Sequence, residues 1–312
     1  MTDGHVTAAP SRHLAIVGPT ASGKSALALE LARRDPDLEL VSVDAMQVYR
    51  GMDVGTAKPT AAEQAEVPHH LLDLADPAED FSVADFQAAA RAALADIEAR
   101  GRRALLVGGT GLYVRAVVDD LTLPGRYPEA RAAVESEPDT GALHRRLREL
   151  DPLAATRMES TNRRRVVRAL EVTLGSGRTF SSFGPGLAAY PPSPIAQVGL
   201  RVATEVLDTR IATRLDVMLD AGFLDEVRRL AARPAGLSRT ARQALGYREL
   251  LAHVEGQLTL DDAVAETRRR TRRFARRQSR WFRRDPRITW HDVGENSLAL
   301  ASAVLGDWQP CS

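Results

Sequence analysis

The chain is 312 residues long, 44% hydrophobic and 27% charged, with a formal net charge of +1. That mixture suits a soluble globular chain, either one large domain or a domain carrying an insertion, and no apolar run nears the roughly 20 residues a membrane span needs. The single cysteine, Cys311, excludes a disulfide framework and a cysteine-based zinc module and fits a reducing cytoplasm.

The polar opening MTDGHVTAAPSRH reads as a short loose tail. HLAIV (13–17) is a strand candidate, followed by the helically spaced SALALELARR, and LELVSV (38–43) is a second strand candidate. Val83, Phe86, Ala90, Leu94 and Ile97 recur at helical intervals, with Ser82 as N-cap and Gly101 as stop. ALLV (104–107) is a third strand. Strand, helix, strand, helix, strand predicts a parallel sheet with helices on its faces. From Tyr127 to about Arg178 the chain reads as helical and charged, ended by Gly175 and Gly177. After FGPGLAAYPPSP come a strand candidate at 195–202, a helical stretch to about Arg284, and a last strand candidate at 288–293. The expected organisation is an α/β core over 13–122, a mainly helical insertion over 123–194, and the rest of the core with arginine-rich helices over 195–300.

The near-neutral total hides a division. Residues 1–120 carry 11 Lys+Arg against 18 Asp+Glu, whereas the remainder carries 31 against 23. That asymmetry points to an anionic partner for the second part, nucleic acid first among them, against the plain alternative of a solvated arginine-rich surface.

GPTASGKS, the run Gly18, Pro19, Thr20, Ala21, Ser22, Gly23, Lys24 and Ser25, satisfies G-x-x-x-x-G-K-[ST] between a strand and a helix. The glycines let backbone amides at the helix N-terminus wrap phosphate oxygens, Lys24 adds a point charge, and the Ser25 hydroxyl can hold Mg²⁺. Lys24 is one of only two lysines in the chain, so lysine persists here where arginine has replaced it almost everywhere. The loop implies a P-loop NTPase-like core that binds a diphosphate or triphosphate. The strand ALLV runs into GGTGLYV rather than the aspartate expected of an NTP hydrolase, which favours transfer chemistry on a diphosphate. Asp44 follows the second strand at the sheet edge where ligands bind in open α/β folds. A carboxylate there can take a proton from an incoming nucleophile; the alternative is a cap or a structural hydrogen bond. Thr110 is expected in the same crevice, against the alternative of a simple turn.

GPTASGKS, DAMQVYRGMDVGTAKPT, PHHLLDLADPAEDFSVADF and GGTGLYVRAV occur in that order, followed by RRRVVRALEV, AGFLDEVRRL, RQALGYREL and TRRFARRQSRWFRRD. Together they resemble the bacterial tRNA dimethylallyltransferases (tRNA isopentenyltransferases) over nearly the whole chain. The resemblance implies transfer of a dimethylallyl group from dimethylallyl diphosphate to N6 of the adenosine on the 3′ side of the tRNA anticodon. It implies a cytoplasmic enzyme, expected as a monomer, on a P-loop core with a helical insertion, using Mg²⁺ at Ser25. Asp44 then matches the general base, Ala45, Met46 and Gln47 match residues touching the extruded nucleotide, and Thr110 matches a contact to that base or the diphosphate. Arg164, Arg165, Val166, Val167 and Arg168, and also Gln243, Ala244, Leu245, Gly246, Tyr247 and Arg248, match tRNA contacts. Arg163 and Arg164 depart from the family pattern, which commonly has proline and glutamine there. Lys58 is assigned to loop structure or a phosphate contact.

Eleven arginines fall between Arg268 and Arg287, around a stripe of Val264, Thr267, Thr271, Phe274, Gln278 and Trp281. The stripe is expected to pack while the guanidinium groups meet RNA phosphates, pair internally or close over the diphosphate. His69, His70 and Asp73 are read as packing and local hydrogen bonds rather than a metal site, and Tyr49, Tyr113, Trp281 and Phe282 as core rather than base-stacking residues. The competing functional classes are a small-molecule or nucleoside kinase, which would turn over ATP without RNA, and a non-catalytic RNA-binding P-loop module.

Overall fold

A computed structural model describes residues 12–294 and 296–308. The opening tail before Arg12 and Cys311 lie outside the described residues. In chain order the elements are β1 (His13–Val17), α1 (Lys24–Arg34), β2 (Leu38–Val43), α2 (Ala61–Glu66), β3 (His69–His70), α3 (Val83–Ala99), β4 (Arg103–Gly108) and α4 (Gly111–Val118). Then come α5 (Pro128–Glu135), α6 (Thr140–Leu150), α7 (Pro152–Thr156) and α8 (Arg163–Ser176). The chain continues with β5 (Ile195–Arg201), α9 (Thr204–Asp220), α10 (Phe223–Ala231), α11 (Arg239–Arg242), α12 (Tyr247–Val254), α13 (Leu260–Phe282), β6 (Thr289–Asp292) and α14 (Ala301–Asp307).

Two compact units divide the chain: residues up to Asp119 together with those from Pro192 onward, and residues Asp120–Pro191 between them. The first unit holds a six-stranded parallel sheet in the order β3-β2-β4-β1-β5-β6, flanked by helices: a P-loop NTPase-like α/β fold. HLAIV and LELVSV are buried at every position, as expected of parallel strands covered on both faces. Ser82 caps α3 in a capping box with Asp85, and Gly101 turns the chain in the left-handed region after α3. The sequence reading passed over β3, a two-residue edge strand. It pairs in parallel with β2, where His70 Nε2 lies 2.7 Å from the buried Glu39, while His69 Nδ1 lies 2.7 Å from the Val67 carbonyl.

In the second unit the region expected to be helical, from Tyr127 to about Arg178, forms four helices. Pro138 lies between α5 and α6, and Pro152 opens α7. Their apolar faces share a core of Val134, Leu143, Leu147, Ala154, Val166, Val167 and Leu170. Gly177 ends α8 in a left-handed cap. Gly175 is no stop: it lies inside the helix, and a Cβ there would fall 2.2 Å from the Tyr127 ring.

Candidate active site

Strand register fixes the site. Val17 of β1 pairs with Gly108 of β4, and Gly108 pairs with Val43 of β2, so the three strands end level. The residues after those ends are the phosphate loop from Gly18, the acid Asp44, and the Gly109–Thr110 turn. Close approach of β2 and β4 requires a glycine, since a Cβ on Gly108 would meet the Val43 carbonyl at 2.3 Å.

The phosphate loop curls through left-handed conformations at Ala21 (φ 62) and Gly23 (φ 91). A Cβ on Gly23 would collide with Ser297, whose hydroxyl donates to the Gly23 carbonyl at 3.1 Å. No side chain caps the start of α1, so the first-turn amides stay available to an anion. The Ser22 hydroxyl is fully buried without a hydrogen-bond partner among the described residues, and Ser25 is exposed. Lys24 is buried and donates to the Pro19 carbonyl at 2.6 Å. Burial pushes its ammonium down to about 7, the Arg214 guanidinium adds to the shift, and the Asp44 carboxylate opposes it. Arg214, on α9, is itself shifted downward by burial and opposed by Asp44, and it makes no hydrogen bond or ion pair with the described residues. Sequence reasoning missed it, because one arginine among so many carries no signal until the sheet brings α9 beside the loop.

Asp44 is half-buried, and its Oδ1 accepts from the Met46 amide at 2.8 Å and the Gln47 amide at 3.4 Å. One carboxylate oxygen is thus fixed by the turn. Ala45 and Met46 are half-buried there. Gln47 is occupied internally: its carbonyl accepts from Ser42 Oγ at 2.6 Å, and its amide donates to Thr56 and Ala57 carbonyls, each at 3.1 Å. Its side chain holds the turn. Thr110 is the N-cap residue of α4, yet its side chain makes no cap hydrogen bond.

The flanking glycines of GGTG make room for α13. A Cβ on Gly109 would lie 2.4 Å from Gln278 Nε2, and one on Gly111 would lie 2.2 Å from the Trp281 ring. Trp281 packs against the core beside the buried Phe282, and Tyr49 is fully buried.

Lys58 belongs to loop structure. Its side chain is 3% exposed and donates to the Tyr49 carbonyl at 2.9 Å, Asp53 at 2.5 Å and Asp73 at 2.6 Å, leaving no donor for a phosphate. The same loop is anchored by Glu226 of α10, which accepts from the Asp53, Val54 and Gly55 amides and from the Tyr247 hydroxyl. Burial first, and then Glu226, push the Tyr247 phenol well above its usual range.

That pairing separates the residues expected at RNA. Gln243, Arg248, Arg164 and Arg165 are exposed. The side chains of Ala244, Tyr247, Val166 and Val167 are buried in the protein's own packing, Gly246 is buried, and Leu245 is half-buried. Arg168 is bonded to Glu171 and to the Pro124 and Gly125 carbonyls. On α13 the arginines sort by face. Arg268 pairs with Asp216, and Arg272 and Arg276 with Asp208, all toward α9. Arg273, Arg277, Arg280 and, just past the helix end, Arg284 repeat at three- and four-residue steps, exposed and without hydrogen bond or ion pair among the described residues.

The profile of the IPP transferase family matches residues 47–285, and an isopentenyl transferase profile matches residues 11–77. The chain belongs to the IPP transferase family. It is 51% identical over 282 residues to the tRNA dimethylallyltransferase of Streptomyces avermitilis, covering 89% of each chain. It is also 51% identical over 302 residues to that of Kineococcus radiotolerans, covering 94% of this chain and 95% of its relative. Among solved structures, the tRNA isopentenylpyrophosphate transferase of Bacillus halodurans superposes with a TM-score of 0.67 at 39% identity, over 95% of this chain and 96% of that one. A eukaryotic dimethylallyltransferase acting on tRNA shares the fold with a TM-score of 0.79 at 24% identity, over 96% of this chain and 79% of that one.

Proposed function

We propose that the protein transfers the dimethylallyl group of dimethylallyl diphosphate to N6 of the adenosine 3′-adjacent to the anticodon in tRNA, releasing diphosphate. The observation that carries this reading is the level ending of β1, β2 and β4, which gathers an anion-binding loop, a half-buried carboxylate and an uncommitted threonine at one edge. In the reaction the allylic C1–O bond breaks with its electron pair passing to the diphosphate. The N6–C1 bond forms, and the N6 proton goes to Asp44. An aromatic amine is not deprotonated beforehand at neutral pH, so the carboxylate acts as the bond forms. Asp44 suits this role because the Met46 and Gln47 amides orient one oxygen. Thr110 contacts the base or the diphosphate.

The loop amides, Lys24 and Arg214 bind the diphosphate and stabilise its charge as it leaves. Ser22, buried and unpartnered, fits a cradle completed by ligand oxygens. Mg²⁺ also fits: the exposed Ser25 hydroxyl would offer it an oxygen beside the bound diphosphate. When bound, the ion neutralises charge on the leaving group. The adenosine must leave its stack, at a cost of a few kcal/mol that binding the rest of the RNA offsets. Arg164 and Arg165 of the insertion, Gln243, Arg248 and the open arginine face of α13 supply phosphate contacts, which position RNA without reading its sequence. All proposed groups come from one chain, so a monomer suffices, and a tRNA substrate suits a cytoplasmic enzyme. Incubation with unmodified tRNA and labelled dimethylallyl diphosphate, followed by nucleoside analysis, tests the reading. Labelled adenosine derivative is expected; its absence with a competent tRNA rejects prenyl transfer.

A further inference from the structure

Gln278 lies on the packed face of α13, 6% exposed, and its amide bridges two loops that are 89 residues apart in sequence, Thr20 and Gly109. The Thr20 amide donates to Gln278 Oε1 at 2.8 Å, and Gln278 Nε2 donates to the Gly109 carbonyl at 2.8 Å. The partners fix the amide orientation, because a backbone N–H can only donate and a carbonyl can only accept. Thr20 lies in the phosphate loop, and Gly109 directly precedes Thr110. Glycine at 109 is required by the same contact, since a Cβ there would stand 2.4 Å from Gln278 Nε2. Its neighbour on the helix, Trp281, packs over Gly111, on the other side of Thr110.

We infer that Gln278 is a positioning residue that sets the separation between the diphosphate-binding loop and the Thr110 turn, and so the approach of the two substrates. The inference rests on the proposed prenyl transfer for its rate consequence only. The grip on the phosphate loop holds for any diphosphate. A buried glutamine serves because its amide, at the end of a long side chain, offers an acceptor to one loop and a donor to the other without a charge. A leucine at 278 keeps the volume and loses both bonds. A glutamate keeps the acceptor for Thr20 but sets a carboxylate oxygen against the Gly109 carbonyl, until protonation restores a donor.

Two measurements on the full chain decide it: calorimetric binding of inorganic diphosphate, and transfer kinetics with saturating tRNA. Gln278→Leu should bind diphosphate about 10-fold more weakly and lower kcat by about 10²-fold through misplaced reactants. Gln278→Glu keeps the Thr20 bond but sets a negative charge beside the loop, so its diphosphate affinity should fall below native at neutral pH and recover as the carboxyl protonates. Its kcat, taken as a ratio to the native value at each pH, should climb as pH falls and the carboxyl protonates. Gln278→Leu should show no such recovery. The inference is overturned if Gln278→Leu matches native diphosphate affinity and kcat with only a lower Tm, or if the Gln278→Glu ratio is flat with pH. Should the native chain bind diphosphate but transfer nothing, prenyl transfer fails, and the binding comparison still decides the role of Gln278.

Discussion

The Lys58 ammonium lies 2.6 Å from Asp73 and 2.5 Å from Asp53, so one buried lysine joins two acids 20 residues apart. Asp73 sits in a left-handed conformation, φ 55, a region that aspartate enters more readily than most non-glycine residues. Lys58→Met should lower stability by about 1–3 kcal/mol, short of the full cost of an orphaned buried charge because both acids stay substantially exposed to water. Thermal unfolding reads that loss. Diphosphate affinity of the folded variant should remain native, and a selective loss of it would return Lys58 to the phosphate site.

Arg214 adds a second cation to the one, Lys24, that the loop carries itself. Arg214→Gln should weaken diphosphate binding by about 10-fold or more, as expected on losing a charge-assisted hydrogen bond. Affinity for tRNA alone should hold within about twofold, within the error of a surface substitution. Isothermal titration with each partner separates the two.

Lys24 titrates near 7 without ligand. A polyanion beside it favours the charged form and raises that value, so binding above pH 7 must draw a proton from solution. Proton uptake per diphosphate bound, measured in buffers of different ionisation enthalpy, should approach one at about pH 8.5 and disappear in Lys24→Met. For folding the sign is also fixed. Lys24 is lowered from 10.5 to about 7, so it penalises the folded state below about 7 and that penalty is relieved as pH rises toward 10.5.

The two arginine faces of α13 should separate under salt titration. Neutralising Arg273, Arg277, Arg280 or Arg284 with glutamine should each weaken tRNA binding and cut the log–log salt slope by about 1. Arg268, Arg272 and Arg276 already face acids on α9, so their glutamine variants should leave the slope nearly unchanged. Equal slopes for both sets would remove α13 from the RNA interface.

Much of this was legible in the chain. β1, β2 and β4 read clearly because each is an apolar run ending at a loop motif, and the phosphate loop names its own chemistry. Asp44 followed from its place at a strand end. What escaped was set by distant contacts. β3 pairs with β2 where His70 meets Glu39, two residues that no local pattern couples. The glycines of GGTG looked like turn formers, whereas two of them accommodate Gln278 and Trp281 of a helix some 170 residues on. Val166, Val167 and Tyr247 sit inside motifs that resemble RNA contacts, but helical phase turns them into the core. Arginine density likewise says nothing of pairing, which depends on where acids lie: Asp208 and Asp216 on α9, Glu249 on α12 and Glu266 on α13 itself.

The central claim is that Asp44 takes the N6 proton while the neighbouring loop holds the diphosphate. Single-turnover transfer of labelled dimethylallyl to tRNA, with both substrates saturating, tests it in native protein and Asp44→Ala. The account predicts labelled adenosine from the native chain, and a rate lower by about 10² or more in the variant with tRNA affinity within severalfold. Native transfer rates in Asp44→Ala, or no labelled nucleoside from the native chain, would contradict it.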